Sequence, residues 1–253
     1  METATIRLAM EAAPSYQTAL IPVKTLSPAV IAQMAQLYLA HYQGSSQVLF
    51  EHDLQEKQEV LVLTHGGVLV GFTSFLTYET TWRQRPIRVV YSGDTIVAQA
   101  HWGQQALALA GLEHMGHIKS LAPDTPLYWF LLVKGHRTYK YLSVFAQRFF
   151  PHWQRAEPEL QCLADHLAGA RFGADYIREH GVVRFKESHG HLHPDIAEPT
   201  QAELRKEATQ HFMLRNPGYR QGDELVCLCE IAADNLKPLA QRVFLKGLHK
   251  EAL

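Results

Sequence analysis

No sign of charge dominates this chain: 24 Lys and Arg face 25 Asp and Glu, a net charge of -1. Proteins that hold nucleic-acid phosphate or anionic lipid draw their affinity from a basic surplus, so no nucleic-acid partner is expected. Long apolar runs are missing as well. The run at residues 127–133 (LYWFLLV) falls far short of the roughly 20 residues that cross a bilayer, and no membrane span is expected. Three cysteines, Cys162, Cys227 and Cys229, are too few and too odd in number for a disulfide framework. The first residues, METATIR, carry an early acid and no apolar segment with a cleavage site, so the expected location is the cytoplasm. Neither G-x-S-x-G nor G-x-x-x-x-G-K-[ST] occurs, which removes the nucleophile-elbow hydrolases and the phosphate-loop enzymes. No internal repeat or low-complexity linker divides the chain.

What remains is an ordinary globular composition, 47% hydrophobic and 19% charged over 253 residues, enough for a sizeable core. Residues 18–25 (TALIPVKT), broken by Pro22, read as an edge strand. Ser27-Pro28 supplies an N-cap and a first-turn proline for a helix whose apolar residues recur through Tyr42 until Gly44. A second helix covers 47–57. The clearest signal is a β-hairpin, 59–65 (EVLVLTH) and 68–78 (VLVGFTSFLTY), joined by Gly66-Gly67, which tolerates the positive φ of a tight turn. A further strand spans 87–97 (IRVVYSGDTIV), where Gly93 marks a bulge. A helix opens after 101–105 and ends near Pro123, and residues 127–133 read as a strand buried on both faces. Helices over 138–150 and 160–172, a strand at 181–185 (GVVRF), a helix over 201–214, a strand at 224–231 (ELVCLCEI) and a helix over 235–245 complete the order. A single α/β (α+β) domain over 1–253 is expected, with its core at 18–150 and a helical extension at 151–253 that supplies the last strands.

This order resembles the GNAT (Gcn5-related N-acetyltransferase) superfamily. The resemblance is carried by the hairpin LVLTHGGVLVGFTSF, the strand VVYSGDTIV and the strand-to-helix junction AQAHWGQQALALAGL. It implies a largely antiparallel central sheet flanked by helices and a co-substrate of acetyl-CoA or another acyl-CoA. The implied activity is acyl transfer from the thioester to an amine of a small molecule by direct attack. An acyl-carrier protein is an alternative donor. A second reading keeps the fold as a non-catalytic acyl-CoA-binding or regulatory protein.

The resemblance also implies roles. The pantetheine arm would pair along Ile96, Val97 and Ala98. The pyrophosphate would sit on Gln99, Trp102, Gly103, Gln104 and Gln105, where backbone N–H groups at a helix start attract anions. The junction departs from the family pattern: Gln99 lies four residues, not three, before Gly103, and Gln105 stands where a small residue is usual. Asp94, beside the Gly93 bulge, is the carboxylate placed to take the amine's proton. For the acid that protonates the leaving thiolate, the segment GHRTYKY offers Tyr139 and Tyr141. Tyr141 fits the apolar stripe with Leu142 and Phe145, which leaves Tyr139 to face the cleft. Lys134, His136, Arg137 and Lys140 make this junction basic, and Trp82, Arg83, Arg85 and Arg88 lie in a connection that can border the acceptor.

Fifteen histidines are the one unusual count. His189, His191 and His193 alternate in SHGHLHP, a spacing open to zinc, but no C-x-x-C supplies a fourth ligand and no metal is expected. Cys227 and Cys229 point to one face of their strand, where small thiols pack.

Overall fold

The structure, a computed structural model, describes residues 15–250. In chain order the elements are β1 (Tyr16–Pro22), α1 (Pro28–Leu39), β2 (Tyr42–Gln43), α2 (Gln47–Gln55), β3 (Glu59–His65), β4 (Val68–Trp82) and β5 (Arg85–Val97). Then come α3 (Ala106–Ser120), β6 (Leu127–Val133), α4 (His136–Phe145), α5 (Pro158–Phe172), β7 (Tyr176–Ile177), β8 (Val182–Val183) and β9 (His191–Leu192). The chain closes with α6 (Pro194–Ala197), α7 (Gln201–Leu204), α8 (Glu207–Arg215), β10 (Glu224–Glu230) and α9 (Pro238–Leu248).

Local chemistry explains the first half. Ser27 Oγ accepts the Val30 N–H and Pro28 opens α1; Ser46 Oγ does the same for Leu49 in α2. Gly66 and Gly67, at φ 57° and 81°, make the two-residue turn that pairs His65 with Val68. One eight-stranded sheet results, in the order β1-β3-β4-β5-β6-β10-β8-β7. Every pairing is antiparallel except β5 with β6. This is the mixed, largely antiparallel sheet that the resemblance implies, and its last strands come from the extension.

Both faces of the sheet are covered. One packs on α3, α4, α8 and α9 through residues such as Leu107, Leu142, Phe212 and Phe244. The other packs on α1 and α2 through Met34, Tyr38 and Phe50, and on α5 through Leu163 and Leu167. β6 feeds both, with Trp129 and Leu131 on the first face and Phe130 on the second. Cys227 and Cys229 are buried on the first face as packing. α3 and α9 cross closely at Gly116 and Gly247, where a Cβ on either would run into a carbonyl of the other helix, Phe244 O or Glu113 O.

Three expected elements differ, each for a tertiary reason. The helix over 138–150 starts earlier and stops at Phe145, because Phe150 exchanges backbone hydrogen bonds with Leu228 of β10 (2.8 and 2.9 Å). The helix over 201–214 divides into α7 and α8, with Glu203 folded back on the Thr200 N–H and hydroxyl (2.8 Å each) and reaching His136 and Arg137 of α4. The strand at 181–185 shrinks to two residues, since only Val182 and Val183 meet β10.

Candidate functional site

β5 and β6 pair in parallel only from Arg88 with Leu127 to Ser92 with Leu131. Beyond that point β5 stays with β4, where Val97 opposes Gly71, and β6 stays with β10, where Val133 opposes Leu225. The two strands therefore separate and leave a gap in the middle of the sheet. A cleft of about 1410 Å³ runs through it.

At the start of the gap Ser92 opposes Phe75 and Thr95 opposes Thr73, so Gly93 and Asp94 together face Ser74. This is a two-against-one bulge, and it sits where the glycine suggested. A side chain at Gly93 would meet Ser74 Oγ at 2.5 Å and Lys57 Cε at 2.8 Å. The extra residue reverses the alternation of the strand. Val89 and Tyr91 lie on the α5 face, and after the bulge Asp94 and Ile96 lie on that same side, Ile96 against α1 and α2. Burial pushes the Asp94 carboxyl up to about 6, with Lys134 and Lys57 holding it down and Glu224 and Asp53 adding to the rise.

Around Asp94 lies a charged chamber. Lys134 Nζ, just past β6, is 3.3 Å from Glu224 Oε1 and 4.9 Å from the Tyr42 ring centroid. Burial pulls its ammonium down, but Glu224, Tyr38 and Asp94 more than offset this and raise it. Tyr38 donates to the His189 carbonyl (3.2 Å) and meets Ser45 Oγ (2.8 Å); burial and Asp94 push its phenol up to about 12.

On the other face, α3 presents its N-terminus to the cleft. No side chain of its N-cap, Gln105, caps it, although Gln104 Oε1 accepts the Ala106 N–H at 2.7 Å. Gly103, at φ 92°, has open space around it. Trp102 donates its indole N–H to the Val97 carbonyl (2.7 Å), and its ring carries the Arg137 guanidinium at 4.6 Å. Trp102, Gly103, Gln104 and Gln105 all line the cleft.

The expected pantetheine edge needs correction. Ala98 donates to Val70 O (2.8 Å), so by the antiparallel alternation Ile96 also turns its backbone to β4. Thr95 and Val97 are the residues whose backbone groups face the gap. The Val97 carbonyl is already taken, by Trp102 and by His41 Nε2 at 3.1 Å. Gln99 lies outside the cleft and donates to Asp195 Oδ2 at 3.2 Å.

Tyr139 is corrected as well. It is fully buried and donates its hydroxyl to the Pro151 carbonyl at 2.6 Å, so its proton is committed and faces away from the gap. The buried stripe of α4 runs through His136, Tyr139, Leu142 and Phe145, and the cleft-facing stripe includes Thr138 and Tyr141. Among the described residues the Tyr141 hydroxyl has no hydrogen-bond partner, and burial raises its phenol.

The remaining candidates disperse. Trp82 packs on His166 (5.1 Å between centroids), Arg83 pairs with Glu159 (2.6 Å) and Arg88 donates to Ile118 O (2.7 Å), all outside the cleft. His189 stacks on Phe185 at 3.8 Å, His191 lies in β9, and His193 precedes α6; the described residues contain no group of three or more metal-ligating side chains. No helix among them is long and apolar enough to cross a membrane. Sequence reasoning missed Lys57 and Arg171. Lys57 sits in the charged run EKQE at the end of the second helix, and Arg171 comes from the extension with no motif to mark it, whereas Glu224 closes the polar turn over 216–224 that the sequence marks as a candidate border of a substrate pocket.

No protein-family model matches the chain, and no curated protein matches its sequence. Solved structures do match over part of it. A protein of unknown function from Enterococcus faecalis, a probable N-acyltransferase, is 12% identical over 53% of this chain and 33% of its own, with TM-score 0.40. The match thus spans a third of that protein's length. An Escherichia coli GNAT family N-acetyltransferase in complex with CoA is 16% identical over 52% of this chain and 71% of its own, TM-score 0.37. A ribosomal-protein-alanine N-acetyltransferase from Brucella melitensis is 22% identical over 46% and 79%, TM-score 0.33.

Proposed function

We propose that this chain is an acyl-CoA-dependent N-acyltransferase acting on a small-molecule amine by direct attack. The splay of β5 from β6 carries this reading: it opens a slot whose two sides hold the groups such a transfer needs. An acyl-CoA bound there supplies an activated thioester carbonyl. The N–H of Val97 and both backbone groups of Thr95, free among the described residues, offer an edge for the amides of a pantetheine arm. The N-terminus of α3, with open space at Gly103, receives the pyrophosphate charge.

On the opposite side Asp94 takes a proton from the attacking amine. Its raised ionisation, about 6, leaves it deprotonated at neutral pH yet basic enough to accept a proton. The C–N bond forms as the C–S bond breaks, and the leaving thiolate takes its proton from Tyr141, which replaces Tyr139 in that role. The test is Asp94→Asn, read by thiol release with acetyl-CoA. A loss of ~100-fold or more is expected, the usual weight of a positioned base; activity within about threefold of the parent removes Asp94 from the mechanism.

The second reading, a binding or regulatory protein, has one observation in its favour. Gln104 already occupies the Ala106 N–H that an anion would use. Native mass spectrometry that finds coenzyme A retained, with no thiol released for any amine, would establish it.

A further inference from the structure

We infer that the acceptor is an aminocarboxylate, its carboxylate held by Lys57 and Arg171 while its amine meets Asp94. This rests on the acyltransfer reading and adds the class of acceptor. Lys57 crosses the Gly93 bulge with its methylenes against the glycine. Its ammonium donates to the Asp53 carbonyl oxygen (2.8 Å) and lies 5.6 Å from the centre of the Tyr91 ring. No carboxylate among the described residues comes within 4.0 Å of it. The Arg171 guanidinium sits 4.5 Å from the centre of the same ring. One of its nitrogens meets Glu56 at 3.1 Å, and its Nε is buried with no hydrogen-bond partner.

Two cations thus flank one aromatic ring beside the base, at a cost visible in Lys57. Burial lowers its ammonium and Arg171 lowers it further, against Asp94, Asp53 and Glu56. Of the other charges facing them, Glu56 pairs with Arg171 and Glu224 with Lys134, while the Asp53 carboxylate lies 3.8 Å from the imidazoles of His189 and His52. Lys57, with no carboxylate partner of its own among the described residues, and the planar fork of Arg171 beside it suit a carboxylate between them. With Asp94 on the same face of β5, the chamber offers an anion for the amine and a cation for the acid of one small molecule. Tyr42, Phe172 and Phe185 wall it and fit an apolar side chain.

The full chain is assayed with acetyl-CoA against the twenty amino acids, each beside its carboxamide. Binding of the same pairs without acyl donor is measured by titration calorimetry. At least one amino acid should exceed its carboxamide by ~10-fold or more in kcat/KM and in affinity, the worth of a charge-assisted contact. In calorimetry Lys57→Met and Arg171→Met should each cost the amino acid ~10-fold more affinity than its carboxamide. Equal use of acids and carboxamides overturns the inference, as does an equal loss for both in the variants. So does calorimetry in which no amino acid binds ahead of its carboxamide. Failure of the acyltransfer reading looks different: preferential binding that depends on Lys57 and Arg171, with no thiol released.

Discussion

On the side of the gap covered by α1, α2 and α5, the rim gathers five charged groups, Asp94, Lys57, Lys134, Glu224 and Arg171; on the side covered by α3 and α4, Thr95, Ala108 and Tyr141 add neutral groups and free backbone to the Arg137–Glu203 pair. Proton removal from an ammonium needs a carboxylate with a tuned ionisation, which burial gives Asp94 against the pull of Lys134 and Lys57. A pantetheine arm is neutral and needs strand-like hydrogen bonds instead. The bulge at Gly93 joins the two sides, because it sends Asp94 to one face and leaves Thr95 on the other.

Several substitutions sharpen or break this contrast. The largest effect is expected at Asp94. In the parent chain kcat/KM should fall as pH drops through about 6, because only the deprotonated carboxylate is a base. Asp94→Asn should remove that acidic limb along with ~100-fold of rate. The same variant should be no less stable at pH 7. A carboxyl whose folded ionisation is raised from 3.8 to about 6 is most favourable to the fold at low pH and loses that contribution as pH rises through this window. A neutral amide escapes the loss, so a urea titration showing marked destabilisation would mean that Asp94 is a structural group.

Behind the α3 side, Gly247→Leu should destabilise the fold by about 2–3 kcal/mol, since α3 and α9 would be forced apart. A fall in Tm of roughly 5–10 °C follows for a chain of this size. The two tyrosines of α4 form the third comparison. Tyr141→Phe should lower kcat by ~10-fold or more with the fold intact. Tyr139→Phe should leave kcat alone and cost about 1–2 kcal/mol, because the Pro151 carbonyl loses its buried donor. The reverse result would return the acid role to Tyr139.

The smallest effect lies at the β4–β5 turn. There Arg83 and Gln84 both take positive φ, 48° and 64°, in a two-residue hairpin that favours glycine. Gln84→Gly should stabilise by ~0.5 kcal/mol, as relief of this left-handed conformation outweighs the added freedom of the unfolded chain. It should leave the acyl-transfer rate unchanged, since this turn packs on α5 away from the cleft.

The contrast between the two tyrosines shows where local reading stopped. Tyr141 fits an apolar stripe with Phe145, on which it stacks at 5.6 Å, and the same spacing describes a core face and a cleft wall. Which of them it is depends on what lies opposite. α8 and residues 149–153 cover Tyr139, whereas the space beside Tyr141 is the opening between two strands. Lys57 and Arg171 were invisible for a related reason. They stand 114 residues apart and meet over Tyr91 only because α5, from the extension, packs on the face of β5 that the bulge also gives to Asp94.

By itself the amino-acid order determined the pieces that depend on neighbours along the chain. These are the Gly66-Gly67 hairpin, the Ser27-Pro28 helix start, the two-sided strand at residues 127–133, and a bulge at Gly93 with an acid beside it. Turn geometry, caps and side-chain alternation act over a few residues, so they can be read there. Only the tertiary structure decided which of two tyrosines faces the gap, which backbone groups of residues 95–98 are free, and which distant cations share a ring. Those follow from packing across the sheet, where pairing and burial are set by residues far apart in sequence.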